Sequence, residues 1–173
     1  ESWRATSTSK STARAGGWGG LRQVCGRGCR EPSTPRRAQS PPVPAVGMSD
    51  ESRAVVWTDF EKALENRSYV FQLDLSSQRL KKLPDDIGKL NKVTSVNLSQ
   101  NDLTEGSLND NFFELQYLTE LDLSHNHLKH LPPCLCMFLD LKKLDIRGNL
   151  FEGGPLKQAA MVRDLFPSCE VVY

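Results

Sequence analysis

Apolar residues recur in this chain at a fixed spacing. Residues 70–80 read VFQLDLSSQRL, 93–103 VTSVNLSQNDL, 118–128 LTELDLSHNHL and 141–151 LKKLDIRGNLF. All four are apolar at positions 1, 4, 6 and 11, and position 9 is Asn or Gln. The starts at 70, 93, 118 and 141 give periods of 23, 25 and 23 residues. A fifth, partial unit fits from Phe166, with Cys169 and Val171 at positions 4 and 6. Positions 4 and 6 share one face of a short strand, while positions 3, 5 and 7 point the other way. A single unit cannot bury its apolar face, whereas parallel stacking of several makes a continuous core. Asn at position 9 suits a tight exit from the strand, because its amide can both donate to and accept from nearby backbone. Gln78 takes that place in the first unit, the least regular rung.

The template resembles the leucine-rich repeat, LxxLxLxxNxL with a period of roughly 20 to 29 residues. In the two 23-residue units, KLPDDIGKL and HLPPCLCMF continue as LPxxφxxφ, similar to the cytosolic repeats of Ras-pathway scaffold and suppressor proteins. The resemblance covers about residues 68–173. It implies an α/β solenoid, with a short parallel sheet on the concave side, helical or irregular convex segments and a helical N-terminal cap. It also implies a non-enzymatic protein-binding role, a small scaffold or a regulatory subunit of a phosphatase, GTPase or ligase.

Both ends of such a stack need covers. TDFEKALENRS carries a capping-box pattern, Thr58 to Glu61, and predicts a helix over 58–67 with Val55, Val56 and Trp57 docked beside it. The longer units NDLTEGSL and NLFEGGPL share Gly at position 14 and Leu at position 16, and lead into NDNFFEL and KQAAMVRDL. In the last of these, Leu156, Ala160, Val162 and Leu165 form the predicted inward stripe, which Pro167 ends. A strand over 169–173 would then close the stack, so the domain reads as complete.

Charge divides the chain. Residues 1–47 hold eight Lys or Arg against two Glu, a net of +6, among Ser, Thr, Gly, Pro and Ala. Residues 48–173 hold 14 against 19, a net of −5. The basic segment lacks the apolar content to repay ordering and is expected to be a disordered leader, with 48–67 the cap and 68–173 the repeats. Met48 could open a shorter form. The leader could draw nucleic acid by charge, but an acidic body repels phosphate and the leader has no interleaved aromatic repeats. No run reaches the length of a membrane span, and no apolar signal segment follows the basic start. Five unevenly spaced cysteines make a poor disulfide framework, so the expected compartment is the cytoplasm or nucleus. On that basis the sequons at Asn66 and Asn97 read as chance matches.

One stretch, LDLSHNHLKHLPPCLC, holds all three histidines and two cysteines. Zinc would need its ligands to converge at about 2.0 to 2.3 Å. The repeat register instead puts His125 at the rim, His127 and His130 on the descending side, and Cys134 and Cys136 on the back. It provides no way to bring a Cys to a His for nucleophilic chemistry. No phosphate loop, HExxH or nucleophile-elbow motif occurs. The expectation is therefore no catalytic residue, no metal, no cofactor and no small-molecule substrate.

What the register does leave exposed is a grid. Position 3 carries Gln72, Ser95, Glu120 and Lys143, and position 5 carries Asp74, Asn97, Asp122 and Asp145. Phe71 at position 2, His125 at position 8 and Arg147 at position 7 flank them. These eleven residues are the candidate protein-binding surface. LDLS is also the generic filling of such strands, in which small polar groups simply satisfy a solvated face. Both readings stand at this point.

Overall fold

The computed structural model describes residues 55–173; the expectations for residues 1–54, the disordered leader and the Met48 start among them, lie outside these. Six short strands form one parallel sheet in chain order: β1 (Val56–Trp57), β2 (Gln72–Asp74), β3 (Ser95–Asn97), β4 (Glu120–Asp122), β5 (Lys143–Asp145) and β6 (Glu170–Val172). Each strand follows its predecessor by one turn of the coil. The register is continuous: Gln72, Ser95, Glu120, Lys143 and Glu170 lie side by side, as do Leu73, Val96, Leu121, Leu144 and Val171. The fifth, partial unit thus adds a full strand to the sheet.

Position 4 and 6 side chains fill the core. Leu73, Leu75, Val96, Leu98, Leu121, Leu123, Leu144 and Ile146 are all buried. Position 1 and position 11 residues close it from the sides, with Val70, Val93, Leu118 and Leu141 buried as well. On the convex side the chain turns through short 3₁₀ segments, Asp85–Lys89, Glu105–Ser107, Asp110–Glu114 and Pro133–Met137. The LP tails explain two of them. Pro84 and Pro132 are held in extended geometry, and each accepts an N–H three residues on, from Ile87 at 3.3 Å and Leu135 at 3.1 Å. The first 25-residue unit uses its extra length for two successive turns. Its Phe112 packs edge-on to Phe138 of the next unit at 5.4 Å, and Phe113 lies tilted against the same ring at 5.5 Å.

The position 9 amides hold one coil to the next. The Asn126 Nδ2 donates to the carbonyls of Leu98, Leu123 and Ser124, and its Oδ1 accepts the Leu103 N–H. Asn101 and Asn149 make equivalent bonds one coil earlier and later. These bonds satisfy backbone groups that the strand exit turns towards the neighbouring coil, most deeply at Asn101 and Asn126, which are both buried.

Two end elements differ from the sequence expectation. The first helix, α1, is Phe60–Glu65, and its N-cap is Asp59, whose carboxylate accepts the Lys62 N–H at 3.2 Å; Thr58 does not cap it. The second helix, α2, is Pro155–Leu165. Its buried face is Gln158, Ala159 and Val162, while Leu156 is 66% exposed and Ala160 is exposed too. Gly153 and Gly154, at φ of 84° and 83°, deliver the helix at a rotation that apolar periodicity did not reveal. Gln158 occupies the inner face because its Oε1 accepts the Leu131 N–H of the preceding coil at 3.3 Å.

Candidate functional site

The exposed grid lies on the concave face. Position 5 forms an unbroken row, Asp74, Asn97, Asp122 and Asp145, beside the position 3 row. Between β3 and β5 lies an open groove of ≈ 320 Å³, lined by Ser95, Asn97, Glu120, Asp122, Lys143, Asp145 and Arg147 over the backs of Val96 and Leu121. The structure therefore brings seven of the eleven candidate residues together. Gln72 and Asp74 stand on β2 at the groove's margin. His125 lies at the rim, its ring over Gly148, where any Cβ would strike it. Phe71 is a correction: at 5% exposure it is buried and presents no open surface to a partner.

The row at position 5 has a framework role as well. Each side chain accepts the N–H two residues on: Ser76 to Asp74 at 2.9 Å, Ser99 to Asn97 at 3.0 Å, Ser124 to Asp122 at 2.8 Å and Arg147 to Asp145 at 3.1 Å. This turn carries the chain into left-handed backbone at position 8, where φ is 57° for Ser77, 57° for Gln100, 53° for His125 and 65° for Gly148. The spacing of Asp or Asn two before Ser, repeated in three units, was the available sign of it. Ser124 is itself buried, so position 7 does not present a row of open hydroxyls.

Electrostatically the groove is uneven. Asp145 is buried and clasped by Arg147 through Nε and Nη2, the closest contact being 2.6 Å. Burial works to raise its carboxyl, but the guanidinium and the Arg147 N–H outweigh it and hold the group below the usual carboxylate range. Ser95 donates to Glu120 at 3.3 Å. Neither Glu120 nor Asp122 makes an ion pair with a described residue.

The histidines are dispersed. His127 faces Asp102 at 3.8 Å, while His130 stands between Glu105 at 3.8 Å and Glu152 at 3.7 Å. Among the described residues no group of three or more His, Cys, Asp or Glu is placed to hold a metal. Cys134 and Cys136 are disulfide-bonded, against the expectation of reduced thiols, and Cys169 is a buried free thiol whose burial pushes its pKa up. No helix among the described residues is long and apolar enough to cross a membrane.

A family model for the Leucine Rich Repeat matches residues 117–139. The parallel sheet and its convex turns have the fold of a leucine-rich repeat solenoid. A leucine-rich repeat protein of Leptospira interrogans shares the fold at a TM-score of 0.50 and 26% identity, over 64% of this chain and 27% of that one. Tsukushi-A of Xenopus laevis is 38% identical over 44% of this chain, and fibromodulin of Gallus gallus 35% over 45%. Leucine-rich repeat serine/threonine-protein kinase 1 of Mus musculus is 35% identical over 56% of the chain. The chain spans 22%, 20% and 5% of those three proteins, so the likeness is to their repeats. Tsukushi-A and fibromodulin are extracellular matrix proteins, which overturns the cytoplasmic or nuclear assignment. Repeat modules of this kind typically mediate protein–protein interactions.

Proposed function

We propose that this domain binds a protein partner along the concave face of β3 to β5, as a small scaffold or a regulatory subunit. One observation carries the reading: the open groove of ≈ 320 Å³ is lined by polar side chains already fixed by backbone bonds. Such preorganisation lowers the entropy lost on association. The nucleic-acid reading depends on residues 1–47 and gains nothing from an acidic groove.

The test is paired pull-downs with full-length protein and a Glu120→Lys/Asp122→Lys variant, each checked by circular dichroism. Glu120 is exposed, whereas Asp122 also caps the strand exit through the Ser124 N–H, so a Glu120→Lys/Asp122→Asn variant that keeps this bond is tested alongside. Partners recovered reproducibly by the wild type should be lost. If the folded variant retains all of them, the concave reading is wrong.

A further inference from the structure

Resting on that concave reading, we infer that the groove recognises a dipolar partner segment: an arginine or lysine seated between Glu120 and Asp122, and a carboxylate of the same segment on Lys143. The argument starts from the bonds that pin position 5. Each side chain there commits one oxygen to the N–H two residues on, which leaves one outward atom per coil. Across the sheet these are a carboxylate oxygen of Asp74, the Nδ2 of Asn97, a carboxylate oxygen of Asp122 and the second oxygen of Asp145. Arg147 already occupies the last of them. The row therefore reads acceptor, donor, acceptor, closed, at about 4.8 Å per step.

The centre of that row carries two carboxylates that close no ion pair among the described residues, with Lys143 in register beside one and Arg147 acting on the other only through space. Glu120 and Asp122 sit two residues apart on the same face of β4, about 7 Å along the strand. Ser95 orients the first and the Ser124 N–H the second. Two fixed carboxylates at that separation suit one guanidinium or ammonium, whose donors can reach both. Asp145 with Arg147 shows the same chemistry completed within the chain. Asn97, next to Asp122 in register, offers a donor to a carbonyl of the incoming segment.

Lys143 sets the polarity. It lies in register beside Glu120 and is exposed, so a second cation placed one step further along would meet like charge. An anion there meets an ammonium instead. The partner thus runs cation to anion from β4 towards β5, and charge order fixes its direction.

The experiment selects short random peptides on the full-length chain, then measures their affinity for three folded variants. Ser95→Trp fills the groove. Asp122→Asn removes one charge but keeps the turn, since Asn97 makes the same bond in the preceding coil. Lys143→Glu inverts the anion seat. Selected peptides should carry Arg or Lys followed closely by Asp or Glu and should fail on Ser95→Trp. They should weaken about tenfold or more on Asp122→Asn and on Lys143→Glu. Peptides that fail on Ser95→Trp yet show no cationic preference and bind Asp122→Asn unchanged overturn the cation seat and leave the concave reading standing. Polycationic binders that strengthen on Lys143→Glu overturn the dipolar order. Peptides that bind Ser95→Trp like wild type, or a library that yields no binder, overturn the concave reading itself.

Discussion

Replacing Asn126 by Ala should be among the most damaging single changes in this domain. The residue is 3% exposed, and it touches two coils at once. Its Nδ2 lies 2.9 Å from the Leu98 carbonyl, 3.1 Å from that of Leu123 and 3.2 Å from that of Ser124, and its Oδ1 is 3.1 Å from the Leu103 nitrogen. Alanine leaves the Leu103 N–H without an acceptor and removes the donor shared by three carbonyls. Each buried group so stranded costs about 1 to 3 kcal/mol, and water entering the small vacancy recovers part of that. A loss of about 3 to 5 kcal/mol follows, against a typical total of about 5 to 15. Gln78 is the internal control. It stands at the same repeat position but is exposed, and its Nε2 reaches only the Thr58 carbonyl, at 3.1 Å. Gln78→Ala should cost less than about 1 kcal/mol. Urea denaturation reads both: the midpoint should fall steeply for Asn126→Ala and barely for Gln78→Ala, with slopes unchanged. Amide exchange at Leu103 should accelerate in the first variant. Equal, small losses for the two would show that the amide ladder does not hold the coils together.

Leu121→Ala, in the core at 2% exposure, should destabilise by about 2 to 5 kcal/mol, whereas Leu156→Ala, at 66%, should stay within about 0.5 in the same titration. Gly148→Ala should cost about 1 to 2 kcal/mol because φ is 65° and the new methyl meets the His125 ring; His125→Ala in the same chain should return only the steric part, which a double-mutant cycle measures. The Glu105 carboxyl is held below its ordinary value by its own backbone N–H, against burial, with the Lys129 and His130 N–H groups adding to the effect. Its folded-state pKa is depressed, so its contribution is present above the unfolded value near 4.5 and is lost as pH falls through the folded one. Glu105→Gln should therefore cost a little at pH 7, under about 1 kcal/mol for so exposed a group, and the difference should close in acid melts.

The fold was legible because its determinants are periodic. Leu73, Val96, Leu121 and Leu144 recur with the coil, so an alignment by leucines also set the strand register that the sheet shows. Non-periodic elements were less readable. The rotation of α2 depends on two left-handed glycines and on a bond from Gln158 to the neighbouring coil, and neither leaves a trace in apolar spacing. Phe71 was misplaced for a related reason: position 2 holds Thr94 and Thr119 elsewhere, hydroxyls that bond the carbonyl of the coil before. In the first coil an aromatic residue stands at that position instead, and it is buried.

The candidate site was harder to read because its residues serve two ends at once. An Asp at position 5 is retained by any chain that must turn from strand into left-handed backbone, whether or not a partner ever touches it. Its presence in LDLS thus carries little information about binding. The discriminating facts lie one position to either side. Asp145 is cancelled by Arg147 within its own coil, whereas Asp122 has Glu120 beside it and makes no ion pair among the described residues. A strand built only for solvation has no need to concentrate like charge at its centre while neutralising it one coil away. That contrast, invisible until side chains are placed, is the observation on which the proposed partner charge and direction rest.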